Sequence, residues 1–123
     1  MSNIEKKAPF DLKLRTLLFS KSIIVFIKKL QLTPLSAPVL NQLIRSATSI
    51  GANFHEADNA ESKKDFIHKL SICRKEAQET VYWLEVLPTL FAESEDEMNT
   101  LKAEAQELNL IFSAIIRKSK VRL

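Results

Sequence analysis

Four long segments of this 123-residue chain repeat apolar residues every three or four positions, and only short turns separate them. That spacing is typical of amphipathic helices. Pro34, Pro38 and Pro88 lie in the turns, where proline prevents a helix from continuing. The pattern predicts helices over about residues 11–32, 37–58, 63–87 and 95–118.

The predicted helices start at capping residues. Ser62 with Asp65 and Ser94 with Glu97 match the capping box, and Ser36 is placed to cap the second helix. At 14.0 kDa the chain can form one hydrophobic core. Because turns this short join antiparallel neighbours, we expect an all-α, antiparallel up-and-down four-helix bundle that forms a single domain over residues 1–123.

The first helix carries two apolar stripes. Its core stripe consists of Leu12, Phe19, Ile23, Phe26 and Leu30, and a second stripe on the opposite side consists of Leu14, Leu18, Val25 and Leu32. A helix in one bundle needs only one stripe. The second is either exposed apolar surface or a subunit contact, and we favour an oligomer interface because large apolar patches usually mark partners.

Trp83 falls roughly opposite the core stripe of the third helix, among carboxylates that include Glu79. A tryptophan in that setting is typical of an interface anchor, so we add it to the predicted apolar interface. The alternative is a partly exposed ring that lies over its own helix.

The second helix contains Gly51, the only glycine of the chain. A glycine within a helix costs about 1 kcal/mol relative to alanine, so we expect Gly51 to let a neighbouring backbone or bulky side chain approach closely. Away from the core, polar residues at helical spacing predict a hydrogen-bonded network at a subunit seam, with solvated surface as the alternative. With two acids of the third helix, the members are Arg45, Ser49, Asn53, Glu56, Glu76 and Glu79.

Residues suited to catalysis are few. A di-iron bundle requires two Glu-x-x-His motifs, and neither His55 nor His68 follows a glutamate at that spacing. The His-Glu pair at 55–56 lacks the second histidine of a zinc motif, and phosphate loops need glycines that this chain lacks. Cys73 is the only cysteine and falls at a core position. We therefore expect no enzyme, no catalytic residue, no metal site and no cofactor.

The formal net charge of +3 is unevenly distributed. Residues 12–32 contain five basic residues and no acid, whereas residues 93–97 are acidic. The N-terminal sequence MSNIEKKAPF lacks the apolar core of a signal peptide, and no apolar run approaches the ~20 residues that span a bilayer. We expect a cytoplasmic protein that does not contact a membrane.

The segments LNQLIRSATSIGANFHEA and ESKKDFIHKLSICRKEAQETVYWLEVL closely resemble the four-helix bundle proteins of the 23S rRNA-intervening-sequence family. The resemblance covers most of the chain and is strongest from Leu40 to Leu87. Ala57 stands where family members often have glycine, which alters the end of the second helix. The positions that match are Arg45, Ser49, Ile50, Asn53, Glu56, Ser62, Lys63, Lys64, Asp65, Phe66, Leu70, Ala77 and Glu79.

The resemblance implies a short bundle that assembles with itself, typically as a ring of five subunits. Some family members are encoded within insertions in large-subunit ribosomal RNA genes. Relatives are accessory proteins of diversity-generating retroelements, where a basic barrel is thought to contact nucleic acid and a reverse transcriptase. The partners implied for this chain are therefore further copies of itself, RNA or DNA, and a protein such as a reverse transcriptase.

We expect a non-enzymatic homo-oligomer, a homopentamer by resemblance, that associates with nucleic acid through electrostatic phosphate contacts. One alternative is an interaction scaffold or accessory subunit that binds a protein partner and no nucleic acid. A second is a small-molecule pocket, although only Thr16 and Cys73 place polar groups in the core stripes. The expected nucleic-acid contacts are Lys13, Arg15, Lys21, Lys28, Lys29, Arg117, Lys118, Lys120 and Arg122.

Overall fold

The computed structural model describes residues 11–121, and within that range the chain forms a four-helix bundle without strands. The all-α fold predicted from the sequence is confirmed. Short 3-10 turns at Leu87–Thr89 and Ala92–Ser94 connect the third helix to the fourth. The long helices are α1 (Leu12–Lys28), α2 (Ala37–Asp58), α3 (Lys63–Val86) and α4 (Glu95–Val121).

Side chains cap two of the helix starts. The Asp11 carboxylate accepts a hydrogen bond from the Leu14 N–H at 3.1 Å, and the Ser62 hydroxyl accepts one from the Asp65 N–H at 3.0 Å. The second of these caps was predicted. Ser36 precedes α2 but makes no capping hydrogen bond, so its predicted role was wrong.

The loop around Ser36 also explains why α1 ends at Lys28, four residues before its predicted end. The Ser36 hydroxyl accepts a hydrogen bond from the Thr33 N–H at 2.9 Å, and the Thr33 hydroxyl accepts one from the Ser36 N–H at 3.0 Å. Ser36 also donates to the Gln31 carbonyl. Because these side chains satisfy the backbone locally, residues 31–33 adopt a non-helical conformation ahead of Pro34.

The core lies between the four helices and includes most of the core stripe predicted for α1, whose fifth member, Leu30, is half-buried beyond the end of that helix. Leu12, Phe19, Ile23 and Phe26 of α1 are buried, as are Leu70, Cys73, Ala77 and Leu84 of α3. Near the end of α4, Ile116 is buried, and Ile115 packs at the edge of the core. The ion pairs Lys13–Asp58 and Lys29–Glu97 lie at opposite ends of the bundle, in keeping with antiparallel neighbours.

Gly51 lies where α2 crosses α1. A Cβ atom at this position would be 3.3 Å from the Thr16 carbonyl oxygen and 3.4 Å from the Thr16 Cβ. The predicted close approach of a neighbouring backbone is therefore confirmed. The absence of a side chain at Gly51 lets α1 pack closely against α2. The Thr16 hydroxyl at this contact donates a hydrogen bond to the Leu12 carbonyl at 2.7 Å.

The interior is more polar than the sequence indicated. Besides Thr16 and Cys73, the structure buries Ser46 of α2 and Thr80 of α3, whose hydroxyl groups form a hydrogen bond of 2.9 Å. Thr80 also donates to the Glu76 carbonyl at 2.8 Å. Because both hydroxyl groups have partners, this buried pair links α2 to α3 without an unsatisfied hydroxyl.

Candidate functional site

One side of α1 is apolar and exposed, although the rest of the helix is packed in the core. Leu14, Leu18 and Val25 are 48%, 51% and 59% exposed, as the second stripe predicted. Leu17 and Ile24 extend the same surface, and their spacing from the others by three or four residues was already visible in the sequence. Leu14, Leu17, Leu18, Ile24 and Val25 are called the α1 apolar face below.

The apolar surface continues beyond α1. Leu32 and Leu35 are exposed in the loop that follows the helix. A groove of about 420 Å³ also runs between α1 and α4, and its walls include Leu18, Val25 and Leu101. α1 packs mainly against α2 and more lightly against α4, which leaves room for this groove. The α1 apolar face is therefore one side of a larger depression.

The predicted polar network is formed only in part. Arg45 of α2 makes ion pairs with Glu76, at 3.3 Å, and with Glu79 of α3. The hydrogen bond from Arg45 holds the pKa of Glu79 below its ordinary value. The Trp83 indole N–H also donates to Glu79 at 3.3 Å. Arg45 thus joins α2 to the acidic side of α3 within one subunit.

The other predicted members on α2 make no hydrogen bond with the Arg45 guanidinium. The Ser49 hydroxyl and the Asn53 amide each donate to the carbonyl four residues earlier in their own helix. Glu56 pairs with Lys69 of α3 instead. The prediction grouped all six residues in one network, but of its members only Glu76 and Glu79 pair with Arg45.

Trp83 is half-buried and packs against the core, and its ring makes an edge contact with Tyr82, with ring centroids 4.9 Å apart. Tyr82 is 55% exposed. The structure therefore places Trp83 at the edge of the core, with the neighbouring Tyr82 presenting the larger aromatic surface to solvent.

Intramolecular ion pairs take up part of the charge of the predicted nucleic-acid contacts. Arg15 binds Glu104 through two hydrogen bonds of 2.7 and 2.9 Å, and Lys29 pairs with Glu97. Lys13 lies 3.8 Å from Asp58. Of the predicted contacts that lie within residues 11–121, five are exposed and have no acidic partner: Lys21, Lys28, Arg117, Lys118 and Lys120. Arg122 and the N-terminal ten residues lie outside the described range.

Neither histidine is part of a metal-binding cluster in residues 11–121. The Nδ1 atom of His55 lies 2.9 Å from the Gly51 carbonyl oxygen, one turn earlier in α2, and His68 is exposed. Cys73 is fully buried, and burial raises the pKa of its thiol to about 12. A thiol with that pKa is almost wholly protonated at neutral pH and is a poor nucleophile.

Within the described range, no helix combines the length and the apolar composition needed to cross a membrane.

Comparison with known proteins gave a family match and a related structure. Residues 13–114 match the family described as 23S rRNA-intervening sequence protein. A solved structure from Bacteroides thetaiotaomicron, described as a protein of unknown function from the S23 ribosomal protein family, is similar with a TM-score of 0.62. The two sequences are 33% identical, and the alignment covers 88% of this chain and 94% of the other. The comparison with curated proteins gave no match.

Proposed function

Because this chain belongs to the 23S rRNA-intervening sequence protein family, we propose that it is a non-enzymatic homo-oligomer that associates with RNA or DNA. The proposed assembly is a ring of five subunits, as the family resemblance implies. Its proposed contacts with nucleic acid are electrostatic and use basic residues of α1 and of the end of α4.

The observation that carries the proposal is the α1 apolar face. Full burial of a leucine or valine side chain stabilises by roughly 1.5–3 kcal/mol, and these residues are about half exposed in one subunit. Each would contribute about 1 kcal/mol when a second copy covers it. Five such side chains on one helix form a patch of the kind that usually contacts a partner.

Assembly would also strengthen binding to nucleic acid. Lys21 and Lys28 are interleaved with the residues of the α1 apolar face, and their long side chains can carry the ammonium groups to the edge of a subunit contact. Arg117, Lys118 and Lys120 lie near the C-terminal end of α4. One subunit offers only a few weak phosphate contacts. Symmetry repeats those contacts in every subunit, so one nucleic-acid strand can engage several of them at once.

The test combines particle mass with RNA binding. Nuclease-treated protein is analysed by light scattering, and its binding to a labelled structured RNA is measured by fluorescence anisotropy across a salt series. We expect a mass several times 14.0 kDa and a decrease in log Kobs with log salt of several units. A mass of one subunit, or binding that does not depend on salt, would contradict the proposal.

A second candidate function is a scaffold that binds a protein partner, such as a reverse transcriptase, without contacting nucleic acid. The ion pairs Arg15–Glu104 and Lys29–Glu97 favour it, because they neutralise charge that the first candidate would use. The two candidates predict different outcomes in the same anisotropy experiment. No RNA binding at low salt, together with an intact oligomer, would favour the scaffold.

A further inference from the structure

We propose a phosphate-binding surface for nucleic acid at the end of the bundle where α3 begins and α4 ends, formed by Lys63, Lys64 and Lys120. The inference rests on the proposed association with nucleic acid and places its main contact away from α1. The three lysines are called the Lys63 surface below.

The Lys63 surface brings two distant parts of the chain together. Lys63 and Lys64 form the first turn of α3, and Lys120 lies in the last turn of α4. With Ile67 they line one groove of about 480 Å³. That volume lies within the range of about 300–1,000 Å³ found for small-ligand sites, so the groove can receive a nucleotide-sized group.

The charge of the Lys63 surface is available to a ligand. Lys63, Lys64 and Lys120 are exposed, and none of them makes an ion pair with another residue in the range 11–121. The nearest acids in sequence are Glu61 and Asp65. The pKa of Lys69, one turn further along α3, is raised first by its hydrogen bond to Glu56. The negative charge of Asp65 raises the pKa of Lys69 further.

Helix stability does not explain why Lys63 and Lys64 occupy the first turn of α3. The N-terminus of a helix carries partial positive charge and favours acidic side chains. Lys63 and Lys64 occupy that end, next to the Ser62 cap, so the macrodipole disfavours them. Lys120, by contrast, lies at the C-terminus of α4, where the dipole favours a cation. A bound anion would benefit from the lysines and from the dipole of α3 together.

The composition of the groove favours nucleic acid over a lipid surface. Ile67 is half-buried and lines the groove with the three lysines. A nucleotide can place its phosphate on the ammonium groups and its sugar or base edge on Ile67. A membrane-bound helix instead presents a broad apolar face flanked by cations, whereas this groove is lined by three lysines and one apolar residue.

The experiment compares full-length charge variants for binding to a labelled RNA by anisotropy across a salt series. The test variant is Lys63→Gln/Lys64→Gln, which should fold well because it removes charges that the α3 dipole disfavours. A control with the same change in net charge on the same helix is Arg74→Gln/Lys75→Gln. Lys120→Gln tests the contribution of α4, and light scattering compares the particle mass of each variant with the wild type.

We expect the test variant to bind RNA roughly tenfold more weakly than the wild type, because two phosphate contacts are lost. The slope of log Kobs against log salt should become shallower by about 1.4 units for each subunit that contacts a single strand. Lys120→Gln should give about half of that change, and the control should bind like the wild type.

Four results would overturn the inference. If the test and control variants lose the same amount of RNA affinity, RNA binding depends on net charge alone. Wild-type affinity in the test variant would leave the proposed function intact but place its contact elsewhere. Binding of the Lys63 surface to vesicles of anionic lipid, without binding to RNA, would assign it to a membrane. If wild-type protein binds no RNA at all, the proposed function fails and the inference fails with it.

Discussion

Charge placed on the α1 apolar face should dissociate the proposed oligomer. In Leu18→Glu/Val25→Glu, two side chains that are 51% and 59% exposed in one subunit are replaced by carboxylates. Loss of the apolar contacts should cost about 2 kcal/mol per subunit, since half of the burial of each side chain remains to be gained on assembly. That loss alone weakens each contact roughly thirtyfold. Burying two carboxylates without partners adds a further penalty.

The assay is light scattering coupled to size-exclusion chromatography. Five wild-type subunits would give about 70 kDa, and we expect the variant to elute as a single chain of 14.0 kDa. Because both positions are exposed, the helical circular dichroism spectrum should be retained. Leu110→Glu is the matched control, since Leu110 is 62% exposed on α4 and lies outside the α1 apolar face. The assignment of the interface would be refuted if the double variant and the wild type had the same particle mass. It would also be refuted if the Leu110→Glu control dissociated as well.

Three further predictions concern the packing of a single subunit. Gly51→Leu should lower the free energy of unfolding, measured by urea titration, by roughly 1–3 kcal/mol, because the leucine side chain would meet the Thr16 backbone. This loss is expected despite the higher helix propensity of leucine. Unchanged stability would show that α1 can move away from α2. Glu79 has a lowered pKa, so its ion pair with Arg45 should stabilise above pH 4.5, with that stability lost as pH falls through the folded-state pKa. Glu79→Gln should flatten the acid limb of a stability-against-pH curve, and an unaltered limb would contradict this. Cys73 should react with a thiol reagent only after unfolding, and rapid reaction in the native protein would be inconsistent with its burial.

The parts of the fold that were predictable follow from local periodicity. The core stripe of α1 requires only that apolar residues recur every three or four positions, and the structure buries four of its five members. Gly51 was equally informative, because a glycine within a helix has few uses other than a close contact. The early end of α1 was not predictable from periodicity. It depends on side-chain hydrogen bonds between Thr33 and Ser36 that compete with the helix.

The candidate site was less predictable because it depends on contacts between helices. The sequence grouped Arg45 with Asn53 and Glu56 as well as with Glu76 and Glu79, whereas only Glu76 and Glu79 on α3 pair with it. Pairing of Arg15 with Glu104 joins residues 89 positions apart, which no local pattern specifies. Helix faces can be read from spacing, but which charges neutralise one another depends on how the helices pack.

The Lys63 surface illustrates the same difference. Lys63 and Lys64 belong to the motif that resembles the family, yet the motif alone does not indicate what surrounds them. Only the antiparallel packing of α3 and α4 brings Lys120 to the same groove. Family membership and the fold are therefore established by sequence similarity, whereas the proposed surfaces depend on the arrangement of the helices.

Native mass spectrometry of the wild-type protein mixed with a short RNA tests the central proposal most directly, because it measures assembly and RNA binding in the same particle. We predict that RNA adds to an oligomer of the 14.0 kDa chain, most simply to five copies, and that the single chain carries little RNA. A spectrum that contains only single chains, or an oligomer that remains free of RNA at low salt, would contradict the proposal.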